Sequence, residues 1–365
     1  LTTIGSIHQK IGEYQKALLY FTEAEKVSIS LFGQNNGNSD LIKIYRLIAI
    51  NYKYSSELDK SLIYVKKSIL LNRKDSLESK EIPQLNEVYN VIEYLASLNE
   101  KASILEHVYK DDSNSLTVNE LLQTYELIDE AVRFLRKSFY SLKDKRFFQE
   151  IESNIYESAI EAHFELYQQT GDNYHLERCF YYCEAGKFGV LSDALHTIRA
   201  KNLSNLPMEL IHLESEIKAN LSYYQTQLHK ETIKPFKEKD ASKIALFKTE
   251  MFSLNQSLDS VMTELEENHT KYFDSKYNDK IVSVSQVQEQ LDEKTLMLEY
   301  FMGDSSGYVF MIAKNEFKVE KLANYHELES FLISYKSAFN NKKKEAITDL
   351  EDVFSSGFQL YKGQM

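Results

Sequence analysis

Apolar and small residues recur at intervals of three and four over most of the chain, the spacing of one helix face. Leu1, Ile4, Gly5 and His8 fall on one predicted helix and Ala17, Phe21 and Ala24 on the next, with Gly12 at the turn between them. The same frame returns at Tyr45, Ile48, Ala49 and Tyr52, then at Ser61, Val65 and Ser68, every position displaced by 44 residues. A shift shared by two whole helices marks a repeated hairpin. Gly5 and Ala17 are small, which lets paired helices cross closely. The polar stretch from Phe32 to Asp40, with Gly33, Asn35, Asn36 and Gly37, predicts a loop between hairpins. A third, degenerate repeat is expected around Tyr89, Ile92, Ala96 and Ala102. Ile128, Val132 and Leu135 define a further stripe, as do Ile151, Ile155, Ala159 and Ala162. Gly171 and Asp172 punctuate another hairpin running to about Gly189.

Two longer seams follow. Leu210, Leu213, Ile217, Leu221, Tyr224 and Leu228 form the first, and Ile244, Phe247, Met251, Leu254, Leu258, Val261 and Leu265 the second. Pro207 suits the opening of the first helix. Pro235 lies in the charged break between the seams, so an antiparallel helical hairpin with its tip near Lys234 to Asp240 is expected.

After Ser283 or Ser285, either a suitable N-cap with glutamine three residues later, a short helix carries Val287 and Leu291. The period then changes. Leu296 to Phe301 and Tyr308 to Ala313 are continuous apolar runs separated by a turn-rich Gly303 to Gly307, which reads as two adjacent strands. Phe317 to Leu322 predicts a third strand at an edge. Stripes at Leu328, Phe331, Leu332, Tyr335 and Phe339, and at Ile347, Leu350, Phe354, Phe358 and Tyr361, predict two more helices. The first residues fall inside a helix pair and the sheet is begun but not closed, so a piece of a longer protein is expected.

Three prolines and 11 glycines in 365 residues agree with long uninterrupted helices. A formal charge of -12 argues against a nucleic-acid partner, which clustered lysine and arginine would hold. The one basic run, Lys342 to Lys344, is read as a solvated loop or helix end. Charge breaks every apolar run before the about 18 residues that a membrane helix needs, so no membrane segment is expected, and a cytoplasmic location fits the low cysteine content.

Leu1 to Ala24 and the frame 44 residues later resemble the tetratricopeptide repeat, lengthened from its usual period of about 34 residues. The order of parts, in turn, resembles the CHAT family, caspase-like peptidases associated with such repeats. Four local matches carry it: Cys183 to Lys187 followed by Val190, Leu191, Ala194 and Leu195; Leu206 and Pro207 with Glu209, Leu210 and Glu214; Tyr272, Phe273, Lys276 and Tyr277 before the Ser285, Gln288 and Leu291 helix; and Leu298 to Asp304 running into Tyr308 to Ile312. The resemblance implies a mainly α chain: a tetratricopeptide-type α-solenoid over residues 1–200, an antiparallel helical arm over 201–278, and the opening, incomplete α/β part of a CHAT domain over 279–365. It also implies a catalytic histidine and cysteine well beyond the opening strands. Here the last cysteine is Cys183, upstream of every predicted strand, so no catalytic residue is assigned.

Repeat arrays usually hold an extended protein or peptide on their concave face. Lys43, Arg46 and Lys53, beside Tyr54, lie off the packing positions of the second repeat and are the candidate partner-binding residues, suited to a partner that bears carboxylates. An ordinary solvated face is the competing reading. Cys179 and Cys183 share a helix face but make at most half a zinc site, so they read as small buried side chains. His163, His196, His212, His229, His269 and His326 show no His-Glu-x-x-His spacing, and no glycine-rich phosphate loop occurs. No metal or cofactor is expected. Protein–protein interaction is the predicted role, with a peptidase in the longer protein or a non-enzymatic signalling adaptor as the two versions of it.

Overall fold

Small residues decide how the first helices pair. A computed structural model describes residues 1–33, 37–74, 82–111, 115–138, 142–187, 208–232, 234, 238–277 and 281–322. Helices α1 (Thr2–Lys10) and α2 (Tyr14–Phe32) turn at Gly12, whose φ of 81° is open to glycine at no steric cost. Gly5 lies against the Phe21 ring so closely that a Cβ there would stand 2.6 Å from Cε1. Asn38 caps α3 (Ser39–Tyr54), its side chain accepting from the Leu41 amide. α4 (Leu58–Leu71) nests against α3 through Ser61 and Ser68, whose hydroxyls donate to the carbonyls of Ala49 (2.7 Å) and Ile42 (2.9 Å). Ala17, Phe21 and Ala24 share a core with Leu41, Ile42, Ile44 and Ile48. The 44-residue shift read in the sequence is therefore a shift in structure: Gly5 and Ala49, Ala17 and Ser61, and Phe21 and Val65 are all buried.

The third hairpin, α5 (Val91–Asp111) and α6 (Ser115–Ser138), is longer and sits in a different frame. Asn90 caps α5 by accepting from the amides of Ile92 and Glu93, while its own amide donates to Asn72. That cap places Tyr94, Leu95 and Leu98 in the core and leaves Tyr89 and Ile92 exposed, against the expected frame, although Ala102 is buried as expected.

Two compact units divide the chain. One comprises Leu1–Phe148 with Pro207–Glu264, the other Gln149–Leu206 with Leu265–Met365. The first unit holds the three stacked hairpins, an arrangement compatible with an α-solenoid, and also most of the arm formed by α9 (Met208–Thr232) and α10 (Ala241–Asn268). Ile217, Leu221, Leu258 and Val261 are buried along the two seams. Leu213 is exposed instead, its place on the buried stripe taken by Glu214 and Ile211. Near the tip, the Glu231 carboxylate accepts from the Asp240 amide at 2.9 Å, just ahead of α10.

In the second unit, α7 (Leu142–Thr170, from residue 149 onward) and α8 (Asn173–Lys187) form a hairpin at Gly171, where φ is 69°. Ile155, Ala159 and Ala162 are buried as the stripe predicts, whereas Ile151 is exposed. α11 (Thr270–Tyr277) and α12 (Val284–Gln290) precede the sheet, and Ser283 with Gln286 closes a capping box on α12. β1 (Leu296–Met302), β2 (Gly307–Ala313) and β3 (Phe317–Lys321) form an antiparallel meander in that order, with Leu298 opposite Met311 and Phe310 opposite Val319. One face buries Phe301, Tyr308, Phe310 and Val319 against the hairpin, where the Phe164 ring meets Tyr308 at 5.4 Å and Phe180 meets Phe310 at 5.8 Å. These aromatic contacts place 149–187, read from the sequence as part of the repeat array, in the unit that carries the sheet. Lys342 to Lys344 and the two stripes after Leu322 lie outside the described residues.

Candidate functional site

The second repeat's polar stripe lies on α3. Arg46 Nη1 sits 2.6 Å from Glu93 Oε2 on α5, and Lys53 Nζ sits 2.7 Å from Glu100 Oε1 and 3.0 Å from Ser103 Oγ. The two cation side chains retain only 14% and 11% exposure. Arg46 and Lys53 are seven residues apart, as are Glu93 and Glu100, so two successive rungs tie neighbouring first helices together. Lys43 and Tyr54 remain exposed, with Tyr54 stacked on Tyr14 at 6.2 Å. The structure thus brings two of the four candidate residues onto α5 carboxylates and leaves the other two facing solvent. The matching spacing of seven was the available signal for the rungs.

On the second helices a groove opens that sequence reading missed. It lies between α4 and α6 with a volume of about 650 Å³, floored by Ile69, Leu70 and Leu127 and walled by Lys66, Glu120 and Glu126. A neighbouring hollow of about 810 Å³ shares Gln84 and Glu130 with it and reaches Phe134 and Lys74. Gln123, Leu127, Glu130 and Phe134 recur at three and four, so one side of α6 lines the whole run.

Its charges are unevenly matched. Glu120 Oε1 lies 3.1 Å from Lys66 Nζ and 3.0 Å from the buried Lys101 Nζ, which also donates to Thr124 Oγ1 at 3.2 Å. Burial pushes the Lys101 ammonium below its ordinary pKa, with Glu120 opposing that shift. Burial likewise raises Glu120, but the two lysines outweigh it and hold the carboxyl low. Among the described residues, no cation lies within 4.0 Å of Glu126 or Glu130.

The second unit contains buried polar groups that bind its parts together. The Glu157 carboxylate accepts from the amides of Asp304 (2.7 Å), Ser305 (2.9 Å) and Ser306 (2.6 Å) and from both serine hydroxyls at 2.8 Å. Burial works to raise its pKa, but those donors outweigh it and keep the carboxyl below the usual range. Glu161 pairs with Lys321 at 2.7 Å, on the same side of the sheet. His163 Nδ1 and His175 Nδ1 lie 3.0 Å apart inside the α7–α8 hairpin. Burial, with His175 and Arg178 adding to it, lowers His163 to about 3, and burial lowers His175 as well. Both cysteines are buried; burial pushes the Cys183 thiol up to about 12 and also raises Cys179. Neither thiol is ionised at neutral pH. Among the described residues, no three His, Cys, Asp or Glu side chains group as metal ligands, and no helix is long and apolar enough to cross a membrane.

No family model matches the chain, and no curated protein matches it.

Proposed function

We propose that this chain is a protein-interaction scaffold in which tetratricopeptide-like hairpins are joined to a CHAT-like segment. One observation carries the reading: Gly5, Ala17, Ala49 and Ser61 occupy equivalent buried crossings of two successive hairpins, so the stack is built by repetition. Repetition of this kind produces long open grooves and few enclosed cavities. A short capped helix leading into a meander whose runs are apolar fits the opening strands of a caspase-like domain, which supports reading the protein as related to cytoplasmic cysteine peptidases. For the chain itself, the burial of both thiols favours recruitment over catalysis.

Panning a random peptide display library on the purified chain tests the proposal. Enrichment of one linear motif, with the corresponding synthetic peptide binding in solution, is the expected outcome. A library that returns no shared motif after selection counts against the scaffold.

A further inference from the structure

We infer that the groove between α4 and α6 takes a basic amphipathic peptide segment, its cations meeting Glu126 and Glu130 and its apolar side chains lying on Leu70, Leu127 and Phe134. The inference rests on the scaffold reading and names the partner's chemistry.

Charge complementarity points to the occupant. In the hairpin stack the partly buried carboxylates Glu93, Glu100 and Glu120 each have a lysine or arginine within 3.1 Å, while Glu25 is met by the Tyr45 hydroxyl. The exposed Glu126 and the partly buried Glu130 stand one helical turn apart along the groove, with neither a cation nor a hydroxyl partner among the described residues. Like charges at this spacing oppose helix formation. An incoming lysine or arginine would reverse the sign of that interaction. Lys66 and Lys74 stand towards the two ends, so the partner's positive charge belongs at its centre.

The apolar floor sets the rest of the pattern. Phe134 is about half exposed at one end, and Leu70 and Leu127 are partly buried towards the other. From Glu120 to Phe134, α6 runs about 21 Å. That length holds roughly six residues of extended chain. A free polyamine would meet the carboxylates but leave the floor uncovered, which makes it a poorer occupant than a peptide.

Fluorescence anisotropy with the full chain tests this directly. Three labelled peptides share their apolar residues and differ at two central positions, occupied by lysine, glutamine or glutamate. The lysine peptide is expected to bind about tenfold tighter than the glutamine peptide, and the glutamate peptide not to bind. Added salt should erode the difference. The double variant Glu126→Gln with Glu130→Gln, at partly exposed positions and checked for an unchanged melting curve, should abolish the preference for lysine. A spin label on Gln123→Cys should broaden signals from the bound peptide, since the native thiols are buried. Equal binding of all three peptides overturns the inference, as does displacement of the lysine peptide by spermine irrespective of the peptide's apolar residues. A display-selected peptide that binds the double variant with undiminished affinity overturns the groove and leaves the scaffold standing. Failure of every peptide, selected or designed, overturns both.

Discussion

Glu157 directs both carboxylate oxygens at one turn of the chain. Its two oxygens receive three amides and two hydroxyls from Asp304, Ser305 and Ser306, and the pocket is tight enough that a side chain at Gly303 would strike the carboxylate. Replacing it leaves those amides unpaired, so Glu157→Ala should destabilise the second unit by about 3 kcal/mol in a denaturant titration. Amide exchange at 304–306 should quicken in step, and unchanged protection there would contradict the assignment. His163 gives a second handle. Its folded pKa of about 3 lies below the ordinary value of 6.5, so the unfolded chain binds a proton that the folded chain refuses. Stability is therefore full above pH 6.5 and declines as pH falls towards 3, by at most about 1.4 kcal/mol per pH unit from this group. Comparing His163→Leu with the parent between pH 7 and 4.5 checks this, since the variant should show a shallower decline. Little of this was legible beforehand. Cys179 and Cys183 read correctly as small buried side chains, but His163 and His175 sit on different helices and meet only after the hairpin closes.

Helices in the first unit are matched pairwise by what they lack. Gly5 has no side chain where Phe21 arrives, and Gly5→Ala should cost about 1–3 kcal/mol by forcing that ring aside. A circular dichroism melt reads the loss directly. The rungs Arg46–Glu93 and Lys53–Glu100 predict measurable coupling between α3 and α5. A double-mutant cycle on Arg46→Gln and Glu93→Gln should return about 1 kcal/mol, and a value near zero would make the contact incidental. At this scale the sequence spoke clearly about period and poorly about direction. Spacing identified most of the described helices and all three strands, because each depends on residues close along the chain, and of the two serines offered as the cap of α12 the structure uses Ser283. It placed Arg46 and Lys53 off the packing positions, yet the partner that holds them lies 47 residues on, in a hairpin whose frame Asn90 resets. The groove on α6 escaped for the same reason: Glu126 and Glu130 look like any solvated helix face until α4 is laid alongside.

Across the whole chain, neither compact unit is a continuous stretch, and the mainly α composition expected from few glycines and prolines holds throughout the described residues. A chain cut after Lys187 would leave Phe164 and Phe180 without Tyr308 and Phe310. Such a piece should bind a hydrophobic dye and self-associate, measured by dye fluorescence and light scattering; a monomer with native helicity would show that the sheet is not needed to cover that surface. The seam between Glu157 and its turn also has a bearing on biosynthesis. Ser306 follows Glu157 by 149 residues. At a ribosomal pace of about 5–20 residues per second, the helical pair, complete at Lys187, waits roughly 6–24 s for the turn at Ser306 to be made. During that interval a newly made chain presents bare aromatic rings to its surroundings, which marks the α7–α8 pair as the place where a chaperone would first take hold.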